Sequence, residues 1–200
     1  RSVLAANDVE KLIAMVEDDE TSHQSPAMLA LLAASLRNNS WGKPEALETS
    51  VQILRDARNR LPSDFWLNYE LGRSLAQPGV ALQKNEKVVE GRGYLRTAVA
   101  LRPRSIIALD ALRRSLWSYT GEGAALASAE DAAELLAVVQ QIYEIAPNVD
   151  NENEFFRVLY HLKSGKQWED AVEVCLKWIE LNPESAKARF NLGYCLHSQG

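Results

Sequence analysis

The chain has little of what catalysis, metal binding or membrane insertion requires. Only two cysteines occur in its 200 residues, Cys175 and Cys195. No C-x-x-C pair is present, and the lone C-x-H of Cys195 and His197 cannot supply the four ligands of a structural zinc site. Both cysteines fall where small apolar residues pack in a helix, so they read as buried hydrophobes, and such sparse thiols fit a reducing, cytoplasmic compartment. The three histidines, His23, His161 and His197, stand far apart with no plausible nucleophile beside them. The phosphate-cradling G-x-x-x-x-G-K-S/T, the G-x-S-x-G elbow and the H-E-x-x-H pair are all missing. Gly91-Arg92-Gly93 is a lone G-x-G within a helical stretch, which reads as close backbone packing. The expectation is a non-catalytic chain without cofactor or metal.

No run approaches the roughly 18 apolar residues needed to cross a membrane, and the opening RSVLAAND is not a basic-then-apolar leader. With no initiator Met, and with Gly200 standing where a turn between two helices is due, the sequence reads as an excised fragment. Net charge is −5, unevenly spread: residues 51–114 carry 12 Lys and Arg against 6 Asp and Glu, while the flanks are acidic. A mild basic band whose arginines, Arg55, Arg58, Arg92 and Arg96 among them, fall mostly on helix exteriors is not the clustered footprint of a nucleic-acid domain. Neither nucleic acid nor membrane is an expected partner.

What the chain does have is a recurrence. Four helical stretches end in a short apolar run and then a proline, at Pro62, Pro103, Pro147 and Pro183, with spacings of 41, 44 and 36 residues. That is one supersecondary unit of about 34 residues with inserts. Proline lacks an amide donor and cannot continue a helix, so it belongs just past a helix end. The plainest unit runs from Glu152 to Ser185. Phe155, Val158, Leu159 and Leu162 share one helical face, as do Trp168, Ala171, Cys175, Trp178 and Ile179, and SGK marks the turn between them. A first helix is expected from the capping pattern Asn7-x-x-Glu10, with Val9, Leu12, Ile13 and Val16 as its stripe. Further helices are expected near 26–37, 44–60, 64–77, 84–101, 105–119, 129–145, 151–164, 168–181 and 185–198, with strand alternation nowhere convincing.

After Pro183 the run ESAKARFNLGYCLHSQG resembles the first helix of a tetratricopeptide repeat, the match resting on Leu192, Gly193 and Leu196. Earlier units repeat it as Leu71, Gly72 and Leu75, as Leu112 and Leu116, and as Leu32, Ala33 and Leu36. Departures fall at Arg113, where that family has Gly or Ala, at Gly91, Ser50 and Leu135, where its second helix has Ala, and at Trp178, where a small residue is typical. The resemblance implies an all-α fold, a right-handed α-solenoid of antiparallel helix pairs with about ten helices. An N-terminal helix and linker would occupy 1–25, and repeats 26–64, 65–105, 106–151 and 152–185, with a half repeat at 186–200. The inserts AQPGVALQKNE and YTGEGAALASAED lengthen the turns within two repeats. The half repeat leaves Phe190, Leu192 and Leu196 without the helix that would cover them, and uncovered repeat ends tend to self-associate.

In such a solenoid the concave surface carries function, lined by the second, fifth, ninth and twelfth places of each repeat. Here these give Trp66, Tyr69 and Arg73, then Ile107, Asp110, Arg114 and Trp117. The later repeats give Asn153, Phe156, Tyr160 and Lys163, then Lys187, Phe190, Tyr194 and His197, with Arg157 and Asn191 at the sixth place. Aromatic and basic groups of this kind dominate binding hot spots. The expected ligand is a protein or peptide, acidic or phosphorylated given Arg114, Arg157 and Lys187. The alternative for Trp66, Tyr69, Phe156 and Phe190 is plain packing between repeats. Lys187 and Asn191 resemble parts of the carboxylate clamp of chaperone-binding members, but the first repeat offers Ala27, Ala30 and Ala34 there, which argues against chaperone tails.

The runs LPSDFWLNYELGRSL and YLRTAVALRPRS also resemble the repeat tails behind serine/threonine protein kinase domains of planctomycete-type bacteria. That resemblance implies a non-catalytic docking or regulatory region, since neither H-R-D nor D-F-G occurs. Three function classes follow: an interaction module, a kinase docking tail, and a scaffold that self-assembles through its end repeats.

Overall fold

The computed structural model describes residues 9–16, 24–40, 43–76, 85–120, 123–126, 129–146 and 152–199. Among these lie ten helices and one β-hairpin. In order they are α1 (Val9–Val16), α2 (Pro26–Asn38), α3 (Pro44–Arg60), α4 (Phe65–Leu75), α5 (Asn85–Leu101), α6 (Ile106–Ser115), β1 (Trp117–Thr120), β2 (Gly123–Leu126), α7 (Ala129–Ile145), α8 (Glu152–Ser164), α9 (Trp168–Leu181) and α10 (Ala186–Gln199). The fold is all-α, made of antiparallel helix pairs, and it divides into two compact units, Arg1–Ser115 and Leu116–Gly200.

The proline turns set the helix entries. At three linkers an amide N–H reaches back to the carbonyl of the residue before the proline: Asp64 to Leu61 at 3.1 Å, Ser105 to Arg102 at 3.0 Å and Ser185 to Asn182 at 3.1 Å. The residue closing the turn then caps the next helix. Asp64 Oδ1 accepts from Leu67 N at 3.0 Å and Ser185 Oγ accepts from Ala188 N at 3.2 Å, each satisfying an amide that the helix itself leaves without a partner. Pro147 lies outside the described residues. So does Asn7, and the Glu10 carboxylate meets Lys43 Nζ at 2.9 Å.

In the first unit, Leu29, Leu32, Ala33 and Leu36 of α2 face Ala46, Ile53, Leu54 and Ala57 of α3, and Leu67, Leu71 and Leu75 of α4 complete the cluster. Full burial of one such leucine stabilises the fold by about 1.5–3 kcal/mol. The departures from the usual second-helix Ala at Ser50 and Gly91 are accommodated individually. Ser50 donates to the Ala33 carbonyl at 2.9 Å and lies 3.2 Å from Ser74 Oγ, so its buried hydroxyl is satisfied. Gly91 belongs to helix α5, where a Cβ would stand 2.9 Å from the Gly72 oxygen. Of the G-x-G, Gly91 therefore serves close packing, while a Cβ on Gly93 would meet nothing within 4 Å. Arg37 of α2 is buried with Glu70 of α4 as an ion pair. Burial pulls its guanidinium below the usual value, and Glu70 is the main opposing influence.

In the second unit α8, α9 and α10 surround Phe155, Leu159, Leu162, Ala171, Cys175, Trp178 and Cys195. Trp178, a large residue at a customarily small place, lies flat against Phe155 with ring centroids 5.4 Å apart. Both cysteines are buried free thiols. The turn after α8 closes as a Schellman motif, with Gln167 N donating to Leu162 O at 2.9 Å. Its left-handed residue is Lys166 at φ 56°, one position after Gly165.

One expectation is corrected. The helix expected over 105–119 ends at Ser115, and Trp117–Thr120 pairs antiparallel with Gly123–Leu126. Trp, Tyr and Thr favour an extended pleat over a helix. The Gly121-Glu122 connection is two residues long, as in a tight hairpin, and itself lies outside the described residues. Arg92 Nε donates to the Ser115 carbonyl at 2.8 Å, satisfying an acceptor at the helix end. Of the two inserts, the hairpin accounts for part of YTGEGAALASAED, while most of AQPGVALQKNE falls outside the described residues.

Candidate protein-binding face

Repeat places are counted from the first residue of each expected repeat. In the second unit, α8 and α10 carry successive sets of the second, fifth and ninth places. The two helices are held side by side by polar bridges. Lys163 Nζ donates to Asn191 Oδ1 at 3.1 Å, Lys187 Nζ lies 3.4 Å from Glu152 Oε2, and Ser185 Oγ donates to Glu152 Oε1 at 2.6 Å. Phe156 and Tyr160, one turn apart on α8, are 47% and 68% exposed. Phe190 and Tyr194, one turn apart on α10, are 74% and 48% exposed. Tyr194 is partly fixed, with Lys163 Nζ 4.5 Å from its ring centroid and Trp168 meeting it edge-on at 6.2 Å. Asn153 and His197 are exposed as well.

The cations of this face are engaged within the chain. Arg157 Nη1 lies 3.4 Å from Glu154, as Lys187 does from Glu152. Asn191 is buried. Its amide donates to the Lys187 carbonyl at 2.8 Å while its oxygen accepts from Lys163, so it ties α8 to α10 and offers no free surface.

In the first unit, Trp66 is exposed and edge-on to both Phe65 and Tyr69. Arg102 covers the Phe65 ring at 4.2 Å and reaches the Trp66 ring at 5.8 Å. Tyr69 is only 7% exposed. It stacks on Phe65 with centroids 5.9 Å apart, and Arg73 donates to its hydroxyl at 3.2 Å. On α6, Asp110 holds both Arg113, at 2.6 Å, and Arg114, at 2.8 Å. Trp117 belongs to strand β1 and so does not continue the helical set of Ile107, Asp110 and Arg114.

The sequence reading missed a polar device that recurs in both units. The twelfth place of one first helix bridges to the sixth place of the next, as Arg37 to Glu70 and as Lys163 to Asn191. A cation at the twelfth place followed by an acceptor at the sixth place of the next first helix is the signal that would have found it. Among the described residues no group of three His, Cys, Asp or Glu could hold a metal, and no helix is long and apolar enough to cross a membrane.

Residues 174–200, the second half of α9 through α10, match the family model described as tetratricopeptide repeat. No match to a curated protein was found. Among solved structures, the crystal structure of MamA protein superposes with a TM-score of 0.51 at 13% identity, covering 87% of this chain and 84% of that one. Another, titled MamA MSR-1 C2, gives 0.46 at 18% identity, covering 84% and 87%. The resemblance to kinase tails rests on its two sequence runs alone. The chain is therefore similar in fold to MamA, with helix pairs of the tetratricopeptide kind, and similar in sequence to that repeat family over its last 27 residues.

Proposed function

We propose that the chain is a protein-interaction module whose second unit binds a peptide or partner domain on the face formed by α8 and α10. The observation that carries this reading is the aromatic quartet: Phe156, Tyr160, Phe190 and Tyr194 sit at matching places of neighbouring helices and are all about half exposed or more. Rings so placed lose little conformational entropy on binding and bring a large area out of water. Tyr69 is buried, whereas these four are open to solvent. Arg157 and Lys187 border the face with their carboxylate partners, so they orient a polar ligand group by exchanging partners rather than by filling an unmet need. An aromatic or aliphatic segment with flanking acids fits this surface. The module would serve as the docking region of a larger protein, a serine/threonine kinase in the reading that its sequence runs resemble.

Peptides selected from a random library on the 200-residue chain test the proposal. Tyr160→Ala combined with Phe190→Ala is expected to weaken the selected peptides by about 2–4 kcal/mol, with helicity and thermal midpoint unchanged because both rings face solvent. Equal affinity for the double variant and the parent chain would remove this face from consideration.

A further inference from the structure

Cys175 of α9 and Cys195 of α10 are both 0% exposed and belong to one core with Phe155, Val174, Trp178 and Ala188. The helices that carry them are packed antiparallel on either side of the turn at Pro183. Cys175 stands six residues before the end of α9 and Cys195 nine residues after the start of α10. Their Cα atoms therefore lie about 9 Å and about 13.5 Å along the two helices from the turn. Side chains tilt toward the N-terminus of their own helix. On α9 that is away from the turn and on α10 it is toward the turn, so the offset between the backbones closes at the sulfur atoms. The two thiols do meet: Cys195 acts on Cys175 through both charge and hydrogen bonding. Converging Cβ vectors across a helix pair are what a disulfide requires, and both cysteines are reduced.

We infer that Cys175 and Cys195 are a redox modification site: a small-molecule disulfide of the glutathione type oxidises them to an internal disulfide that staples α9 to α10. Closed, the pair is inert, since burial raises the Cys175 thiol well above its ordinary value and neither cysteine meets solvent. Reaction waits until α10 parts locally from α9. One thiolate then attacks a sulfur of the oxidant. A bond between protein and glutathione sulfurs forms, the oxidant's S–S bond breaks, and a glutathione thiolate leaves and takes up a proton. The bulky adduct does not fit a site with no exposed surface, so α10 reseats only after the second cysteine attacks the protein sulfur and expels the other glutathione. Two electrons pass from the cysteine pair to the oxidant, and two protons end on the two glutathione thiols. Because Cys195 follows Tyr194, the staple also fixes the helix that carries that ring.

The test is incubation of the 200-residue chain with oxidised glutathione, without urea and with urea below the unfolding transition, followed by intact mass and peptide mapping. Both thiols should disappear without a retained glutathione, and the peptides holding Cys175 and Cys195 should be linked within one chain. The reaction should run severalfold faster in urea, which favours the opening, and dithiothreitol should reverse it. The oxidised chain is expected to melt about 5–10 °C above the reduced one, the scale of closing a short loop. Cys175→Ala and Cys195→Ala each remove the resolving partner, so each should stop at a glutathione adduct on the remaining cysteine. Stable adducts on both cysteines, a disulfide between copies, or no internal disulfide even in urea overturns the site. An oxidised chain that melts at or below the reduced one overturns the staple, and equal rates with and without urea overturn the need for opening.

Discussion

α4 and α10 follow one pattern, a proline turn, an oxygen cap and a Leu-Gly-x-x-Leu run, yet they meet different surroundings. On α4 the glycine and the second leucine are shut in by α5; on α10 both face outward. The pattern thus encodes a helix that can take a neighbour at close range, and the neighbour decides how much the pattern stabilises. Apolar side chains contribute roughly in proportion to the area they remove from water, so the same residue types should weigh very differently in the two helices.

The largest expected contrast lies in the ion pair. Arg37→Ala strands the buried Glu70 carboxylate and should cost about 3–5 kcal/mol, whereas Lys163→Ala at the equivalent place leaves a neutral amide that keeps its bond to the Lys187 carbonyl and should cost about 0.5–1.5 kcal/mol. Urea denaturation of the two variants measures both, and equal losses would break the distinction. Next come the leucines. Leu75→Ala should destabilise by about 2–5 kcal/mol and Leu196→Ala by less than about 1 kcal/mol; a large loss for Leu196 would mean that α10 is covered in solution.

A further effect, seen only at alkaline pH, concerns Cys175. Burial, reinforced by neighbouring Cys195, pushes its thiol up to about 12. The folded chain therefore holds this proton more tightly than the unfolded one, whose thiol titrates near 8.5. Its contribution is complete below about pH 8.5 and is lost as pH rises toward about 12. Cys175→Ala should flatten the alkaline fall in the urea midpoint, and an unchanged slope would count against the shift. Native Cys175 should also resist alkylation at mildly alkaline pH.

Helices were legible where apolar spacing and a proline stop agreed. α3 and α9 fall on their expected spans of 44–60 and 168–181, because tertiary packing there follows the same face that the sequence marks. α6 was overextended since the leucine spacing through Leu116 continues smoothly and only the β-favouring run after it signals the hairpin. The exposed quartet at Phe156, Tyr160, Phe190 and Tyr194 was named from repeat places alone. Tyr69 and Asn191 were named by the same counting but are buried, because a place number gives a direction around the helix and not what neighbouring side chains put there. Arg73 and Phe65 close over Tyr69, and Lys163 reaches Asn191. The left-handed residue of the α8 turn was hidden too, since glycine stands one position before Lys166.

The paired substitutions Gly72→Ala and Gly193→Ala, followed by thermal denaturation of the 200-residue chain, test most directly the claim that one helix pattern is closed in α4 and open in α10. The account predicts that Gly72→Ala destabilises by about 1–3 kcal/mol through overlap with α5, while Gly193→Ala is neutral or stabilising by up to about 1 kcal/mol because alanine is the better helix former. Comparable destabilisation by both substitutions would contradict it.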